Sequence, residues 1–198
     1  MNRRRVQVQR KTRETEITVQ LDLEGSGRIQ VDTGVGFFNH ILEAFAFHGC
    51  LDLVVSARGD LEVDAHHLVE DTGICVGRAL AQALDSVEGI ERYGTAWVPM
   101  DESLAMVCLD ISGRPYLHFE GPPAAGRVGD FDCGLVEEFF RAVVNNARIT
   151  LHVRILYGSN AHHQVEAVFK AFGRALRSAA ARRGYGGTGA PSTKGTLD

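Results

Sequence analysis

The sequence predicts an α+β fold made by internal duplication: two β-β-α-β-α-like halves, each an antiparallel or mixed sheet with helices on one face. Three observations carry this expectation. Ala65-His66-His67-Leu68-Val69-Glu70, running on to Gly77-Arg78-Ala79-Leu80, recurs as Ala161-His162-His163-Gln164-Val165-Glu166, running on to Gly173-Arg174-Ala175-Leu176. The offset is 96 residues without a gap, and 10 of 20 positions from Ala65 and Ala161 onward are identical. Strand-like alternation and a helix-like segment precede each copy, and a Ser-Gly-Arg turn stands at 26–28 and again at 112–114.

Taken in order, residues 4–10 and 15–23 alternate as strands, the second through Ile17, Val19, Leu21 and Leu23. Gly25-Ser26-Gly27 turns into a third, Arg28–Asp32. Gly34 and Gly36 lead into a helix near Phe37–His48, with Gly49 as its C-terminal stop. Leu51–Ala57 is a strand and Gly59-Asp60 a turn, after which the first motif opens a helix to about Ser86. In the second half Glu102–Ile111 and Tyr116–Phe119 are strands, and Gly121–Gly126 is a loop. Leu135–Asn146 is a helix, Arg148–Leu156 a strand, and Gly158-Ser159-Asn160 opens the second motif helix. Val69, Val76, Leu80 and Leu84 keep a helical apolar face in one motif helix, as do Val165, Phe169, Phe172 and Leu176 in the other. The halves are expected at 1–94 and 95–183, packed as one compact unit, with a flexible glycine-rich tail at 184–198.

Composition narrows the function classes. A hydrophobic share of 44% with mean hydropathy −0.07 is that of a soluble globular protein. A net charge of −4 and a pI near 6.1 argue against nucleic acid as a partner. The basic start, Arg3-Arg4-Arg5 and Arg10-Lys11-Arg13, is followed by no apolar core of a signal peptide. No run of about 18 apolar residues is present, so no membrane span is expected. Cys50, Cys75, Cys108 and Cys133 stand singly, as reduced thiols in a cytoplasmic protein.

The repeated residues are ionisable. On a helix His66 and Glu70 stand four apart and share a face, whereas His67 lies about 100° round from His66. Each HHxxE copy therefore serves two metals, one through its His/Glu pair and one through the other histidine. Two copies build two sites with pseudo-twofold symmetry. HHxxE is neither of the metalloprotease signatures HExxH and HxxEH. A closed structural zinc site is usually cysteine-rich, and these cysteines are scattered. On spacing alone, a di-metal hydrolase and a metal-stabilised oligomer without activity stand beside a metal-dependent lyase.

Further segments complete a pattern: Thr12-Arg13-Glu14-Thr15, Phe38-Asn39-His40, His48-Gly49, Asp64 before the first motif and Asp71 after it, and Arg92-Tyr93-Gly94. Asp101-Glu102, Ser112-Gly113-Arg114-Pro115-Tyr116, Asn160 before the second motif, and Pro191-Ser192-Thr193-Lys194-Gly195 follow. With these the chain resembles the imidazoleglycerol-phosphate dehydratases of histidine biosynthesis over nearly its whole length. The resemblance implies a fold similar to the second domain of a small-subunit ribosomal protein. It also implies two manganese ions (Mn²⁺) per active site and a homo-oligomer of twenty-four subunits with sites between protomers. The implied reaction takes D-erythro-imidazole glycerol phosphate to imidazole acetol phosphate and water, through an imidazolate held by both metals.

Carried over residue by residue, the implied metal ligands are His40, His66, His67 and Glu70, then Glu138, His162, His163 and Glu166. Many family members have histidine where this chain has Glu138, a harder ligand that still suits manganese. Asn39 stands where aspartate is usual, and Leu68 where threonine is usual. The implied proton-transfer residue is Glu14, with His48, Asp101 and Glu102 behind it. Glu14, Arg92, Arg114, Lys170, Ser192, Thr193 and Lys194 are the implied substrate contacts, the cations and Ser192 gripping the phosphate, and the tail joins the site with them. Arg78 and Arg174, repeated in both halves, read as a structural pair. His118 and His152 match nothing catalytic.

Overall fold

A computed structural model describes residues 4–84, 87–121, 126–183, 189 and 192. The first half runs β1 (Arg5–Lys11), β2 (Thr15–Asp22), β3 (Ile29–Asp32), α1 (Gly36–Gly49), β4 (Asp52–Gly59) and α2 (His66–Ala83). The second runs β5 (Tyr93–Met100), β6 (Ser103–Asp110), β7 (Tyr116–Glu120), a small hairpin β8 (Arg127–Val128) and β9 (Phe131–Asp132), then α3 (Leu135–Ala147), β10 (Thr150–Tyr157) and α4 (Ala161–Ala180). Each half forms a mixed four-stranded sheet, in the orders β1-β2-β4-β3 and β5-β6-β10-β7. Among the described strands only the β3–β4 and β7–β10 pairs are parallel, with Val31 opposite Val55 and Leu117 opposite Leu151. The fold is thus the duplicated α+β architecture expected from the sequence.

Three strands escape the sequence reading: the two of the β8–β9 hairpin and, in the main sheet of the same half, β5. In β5 the inward positions are Gly94, Ala96 and Val98, while Tyr93 and Trp97 face out. The usual rule of large apolar residues inside is inverted because α4 lies directly on this strand. A side chain at Gly94 would collide with the Ala175 carbonyl. The Ser26-Gly27-Arg28 turn has a clear anchor: Asp52 accepts from the backbone N–H groups of Ser26 (2.6 Å), Gly27 (2.9 Å) and Arg28 (2.8 Å).

The helices join the halves. α2 covers the first sheet and α4 the second, while α1 packs on α4 and α3 on α2. The glycines of the repeat make these crossings close. A Cβ at Gly77 would stand 2.6 Å from the Val143 carbonyl of α3, and one at Gly173 would meet the Phe45 carbonyl of α1. Buried phenylalanines fill the space between, with Phe45 stacked on Phe172 at 5.0 Å and Phe139 on Phe169 at 5.3 Å. α1 ends at left-handed Cys50 and α3 at left-handed Arg148, 98 residues later. The same offset sets His40 of α1 against Glu138 of α3.

Candidate metal centre and active site

In both motifs a side chain just before the pair accepts from the first histidine's backbone, and in α4 that residue is the N-cap itself. Asp64 Oδ1 accepts from the His66 N–H at 2.7 Å, and Asn160 Oδ1 from the His162 N–H at 2.9 Å. The two histidines of each pair face apart, their rings crossing at 87° in the first motif and 81° in the second. That divergence follows from adjacent positions on a helix.

In the second motif the His/Glu face meets α1. The Nε2 atoms of His40 and of His162 each lie 3.0 Å from Glu166 Oε2. The three ligand atoms all fall within 4.8 Å of one another. Two imidazoles and a carboxylate make a nitrogen–oxygen donor set suited to a divalent ion such as manganese. Glu166 is buried, and Lys170 Nζ holds its other oxygen, Oε1, at 2.7 Å. Burial pushes its carboxyl pKa up, but hydrogen bonds from Lys170 and His40 outweigh this and bring it to about 2. The residue is therefore a carboxylate at any ordinary pH.

A cleft of about 510 Å³ opens beside this cluster, walled by His40, Glu166, Lys170 and His48 among others. Among the described residues His48 joins neither of these groups of potential metal ligands; it stands in the last turn of α1. Burial, then the charges of Lys170 and Arg174, push its imidazole pKa down. It also walls a second cleft of about 600 Å³ with Trp97, Arg174 and Arg177. Arg174 and its repeat partner therefore differ: Arg78 donates to Asn146 at 3.4 Å, whereas Arg174 faces that cleft.

The first motif is arranged otherwise. His66 Nε2 and Glu70 Oε2 are 4.0 Å apart on one face of α2. His67 gathers with Glu14, from the β1–β2 turn, and Asp60, at the end of β4. Asp60 Oδ2 lies 3.0 Å from His67 Nδ1 and Glu14 Oε2 lies 3.9 Å from it. The Asp60 hydrogen bond, with help from Glu14, pushes the His67 pKa up against a partial desolvation. Asp60 carried no signal in the sequence beyond its place in a turn.

His163 pairs with Glu102, Nδ1 to Oε2 at 2.7 Å, and its Nε2 is 3.8 Å from Asp101 Oδ2. Asp101 is exposed in the β5–β6 turn, with a positive φ of 45°. Glu138 joins neither cluster of three; its carboxylate lies 3.8 Å from Arg141. Arg92, also at positive φ, is buried and grips Asp110 with Nε at 2.7 Å and a second nitrogen at 3.1 Å. Arg114 is exposed in the turn before β7. Ser192 is described and has partners, while Thr193 and Lys194 lie outside the described residues.

Comparison with known proteins settles the family. The family model described as imidazoleglycerol-phosphate dehydratase matches residues 33–176. The chain belongs to the imidazoleglycerol-phosphate dehydratase family. The dehydratase of Acetivibrio thermocellus is 56% identical over 194 residues, covering 98% of this chain and 99% of that protein. That of Bacillus anthracis is 57% identical over 188 residues, covering 95% and 96%. The Staphylococcus aureus crystal structure aligns with a TM-score of 0.82 at 45% identity, over 90% of this chain and 99% of that one. The Pyrococcus furiosus structure aligns at 0.81 and 38% identity, over 96% of this chain and 100% of that one. Membership makes the chain an enzyme, a dehydratase. Among the described residues no helix is long and apolar enough to cross a membrane.

Proposed function

We propose that the chain converts D-erythro-imidazole glycerol phosphate to imidazole acetol phosphate and water in histidine biosynthesis, in the cytoplasm, with two Mn²⁺ ions at each active site. The observation that carries this reading is the convergence of His40, His162 and Glu166 at a cleft walled by Lys170, in a chain of this family.

The proton to be lost sits on the second carbon from the imidazole ring, where no carbonyl makes it acidic. The reaction removes that proton and the hydroxyl of the carbon attached to the ring as water, and the resulting enol becomes the ketone on the second carbon. Bound Mn²⁺ supplies Lewis acidity toward the ring nitrogens and a hydroxyl. His40, His162 and Glu166 hold one ion. His66 and Glu70 with Glu138, the residue matched to His40 by the 98-residue offset, are the corresponding set, and His67 and His163 add a nitrogen to each. Glu14, exposed at the β1–β2 turn, moves the proton, with Asp101 at the matching turn of the second half.

Lys170 and His48 line the same cleft and receive the charged end of the substrate, with Arg114, Ser192, Thr193 and Lys194 as its further contacts. Arg92, fixed to Asp110, shapes the entry to β5. Sites lie between protomers of a homo-oligomer of twenty-four subunits. Support for a subunit contact comes from Tyr93, Trp97 and Tyr116, exposed on one face of the second sheet. The test is formation of the ketone product from imidazole glycerol phosphate by protein dialysed with and without a chelator. Product from the untreated sample, lost on chelation and recovered with Mn²⁺, supports the reading; a folded, metal-loaded protein that forms none overturns it.

A further inference from the structure

We propose that Glu102 and Asp60 are positioning residues that hold the outward histidine of each motif through its Nδ1, leaving Nε2 as the metal-binding nitrogen. The inference rests on the metal-dependent reading above and assigns two residues that the ligand set leaves out.

Glu102 is fixed by four donors. Its Oε1 accepts from Ser103 Oγ at 2.9 Å and from the backbone N–H groups of Asn160 at 2.8 Å and Ser159 at 3.1 Å. Its Oε2 meets His163 Nδ1 at 2.7 Å. A carboxylate satisfied in this way cannot swing to carry a proton. It ties the β5–β6 turn to the segment that opens α4, and so fixes where the His163 ring stands. A neutral imidazole that donates from Nδ1 to a carboxylate keeps its lone pair on Nε2, and a carboxylate partner makes that nitrogen a stronger ligand.

The first half achieves the same by another element. Asp60, at the end of β4 rather than in the hairpin, has both oxygens near His67 Nδ1, at 3.0 Å and 3.3 Å. The hairpin acid of this half, Glu14, is thereby left 3.9 Å from that nitrogen, beyond hydrogen-bonding range. The β1–β2 and β5–β6 turns occupy matching places in the two sheets, yet their acids have different duties. Glu102 orients, and Glu14 stays uncommitted because Asp60 does the orienting in its place. Glu102 therefore leaves the group of proton-transfer candidates in which the sequence places it.

The test is equilibrium Mn²⁺ affinity of the chelator-stripped full chain, measured by competition with a metal-sensing dye, with metal-free thermal melts as the folding control. Asp60→Ala is the cleaner variant, since among the described residues its carboxylate hydrogen-bonds to His67 alone, whereas Glu102→Ala also frees Ser103, Ser159 and Asn160. Both are expected to weaken binding by about 10–100-fold. Asp60→Asn and Glu102→Gln, which can still accept from Nδ1–H, are expected to recover most of the loss. Affinity within about twofold of wild type in a folded Asp60→Ala protein overturns the inference while leaving the metal reading intact. Wild-type protein that takes up no Mn²⁺ overturns the metal reading itself.

Discussion

Lys170 reaches Glu166 across one turn of α4, Nζ to Oε1 at 2.7 Å, and leaves Oε2 to face His40 and His162 at 3.0 Å each. One buried carboxylate is thus held by a cation on one side and presented as a ligand on the other. A buried charge is tolerated only when paired in this way. Glu166→Gln keeps the shape and removes the charge. Mn²⁺ affinity and turnover are both expected to fall by at least about 100-fold, measured by dye competition and product formation, while the metal-free fold persists by circular dichroism.

Packing of the helix layer gives a stability prediction. Gly77 and Gly173 sit where α2 crosses α3 and α4 crosses α1. Gly77→Ala forces a methyl group against the Val143 backbone, which cannot yield as a flexible side chain would. A loss of about 1–3 kcal/mol is expected for each alanine, read from denaturant melts of the metal-free protein.

Asp52 gives a prediction in acid. Its burial raises the carboxyl pKa, but the N–H groups of Arg28, Ser26 and Gly27 outweigh this and lower it below the usual 3.8. A depressed carboxylate contributes stability above its unfolded pKa, and that contribution is lost as pH falls through the folded value. Asp52→Asn is expected to lose stability at neutral pH and to show a flatter acid limb in pH-dependent melts. Unchanged melting at both ends would remove Asp52 as the anchor of the turn.

The His163–Glu102 pair predicts a window. The hydrogen bond to Glu102 raises the histidine above 6.5, so its contribution is full below that value and fades as pH rises through the folded pKa. The bond from His163 and the N–H groups of Asn160 and Ser159 lower Glu102 below 4.5, so its contribution is lost as pH falls through the folded value. Metal-free protein is expected to gain from the pair chiefly between these limits. Mn²⁺ competes with the His163 proton, so apparent affinity is expected to begin falling above pH 6.5 on acidification. Isothermal binding across pH in wild type and Glu102→Gln checks both signs.

The duplicated fold was legible because its signals are local. Strand alternation through Ile17, Val19 and Leu21, the helical spacing of His66 with Glu70, and the gapless repeat all depend on near neighbours in sequence. What the sequence could not give depends on contacts between distant segments. β5 buries Gly94 and Ala96 because α4 leaves room for nothing larger. Glu102 meets its histidine only after folding, across 61 positions of the chain. Arg78 and Arg174 are the same residue in the same repeat, yet Arg78 meets Asn146 while Arg174 lines a cleft with His48 and Trp97, because their surroundings come from different halves.

The most direct measurement is a Mn²⁺ titration of chelator-stripped protein in which bound metal and product formation from imidazole glycerol phosphate are followed together. The account predicts that activity is absent at the start, rises with bound metal and saturates at two ions per chain. Full turnover by the stripped protein, or saturation with metal and no product, would contradict it.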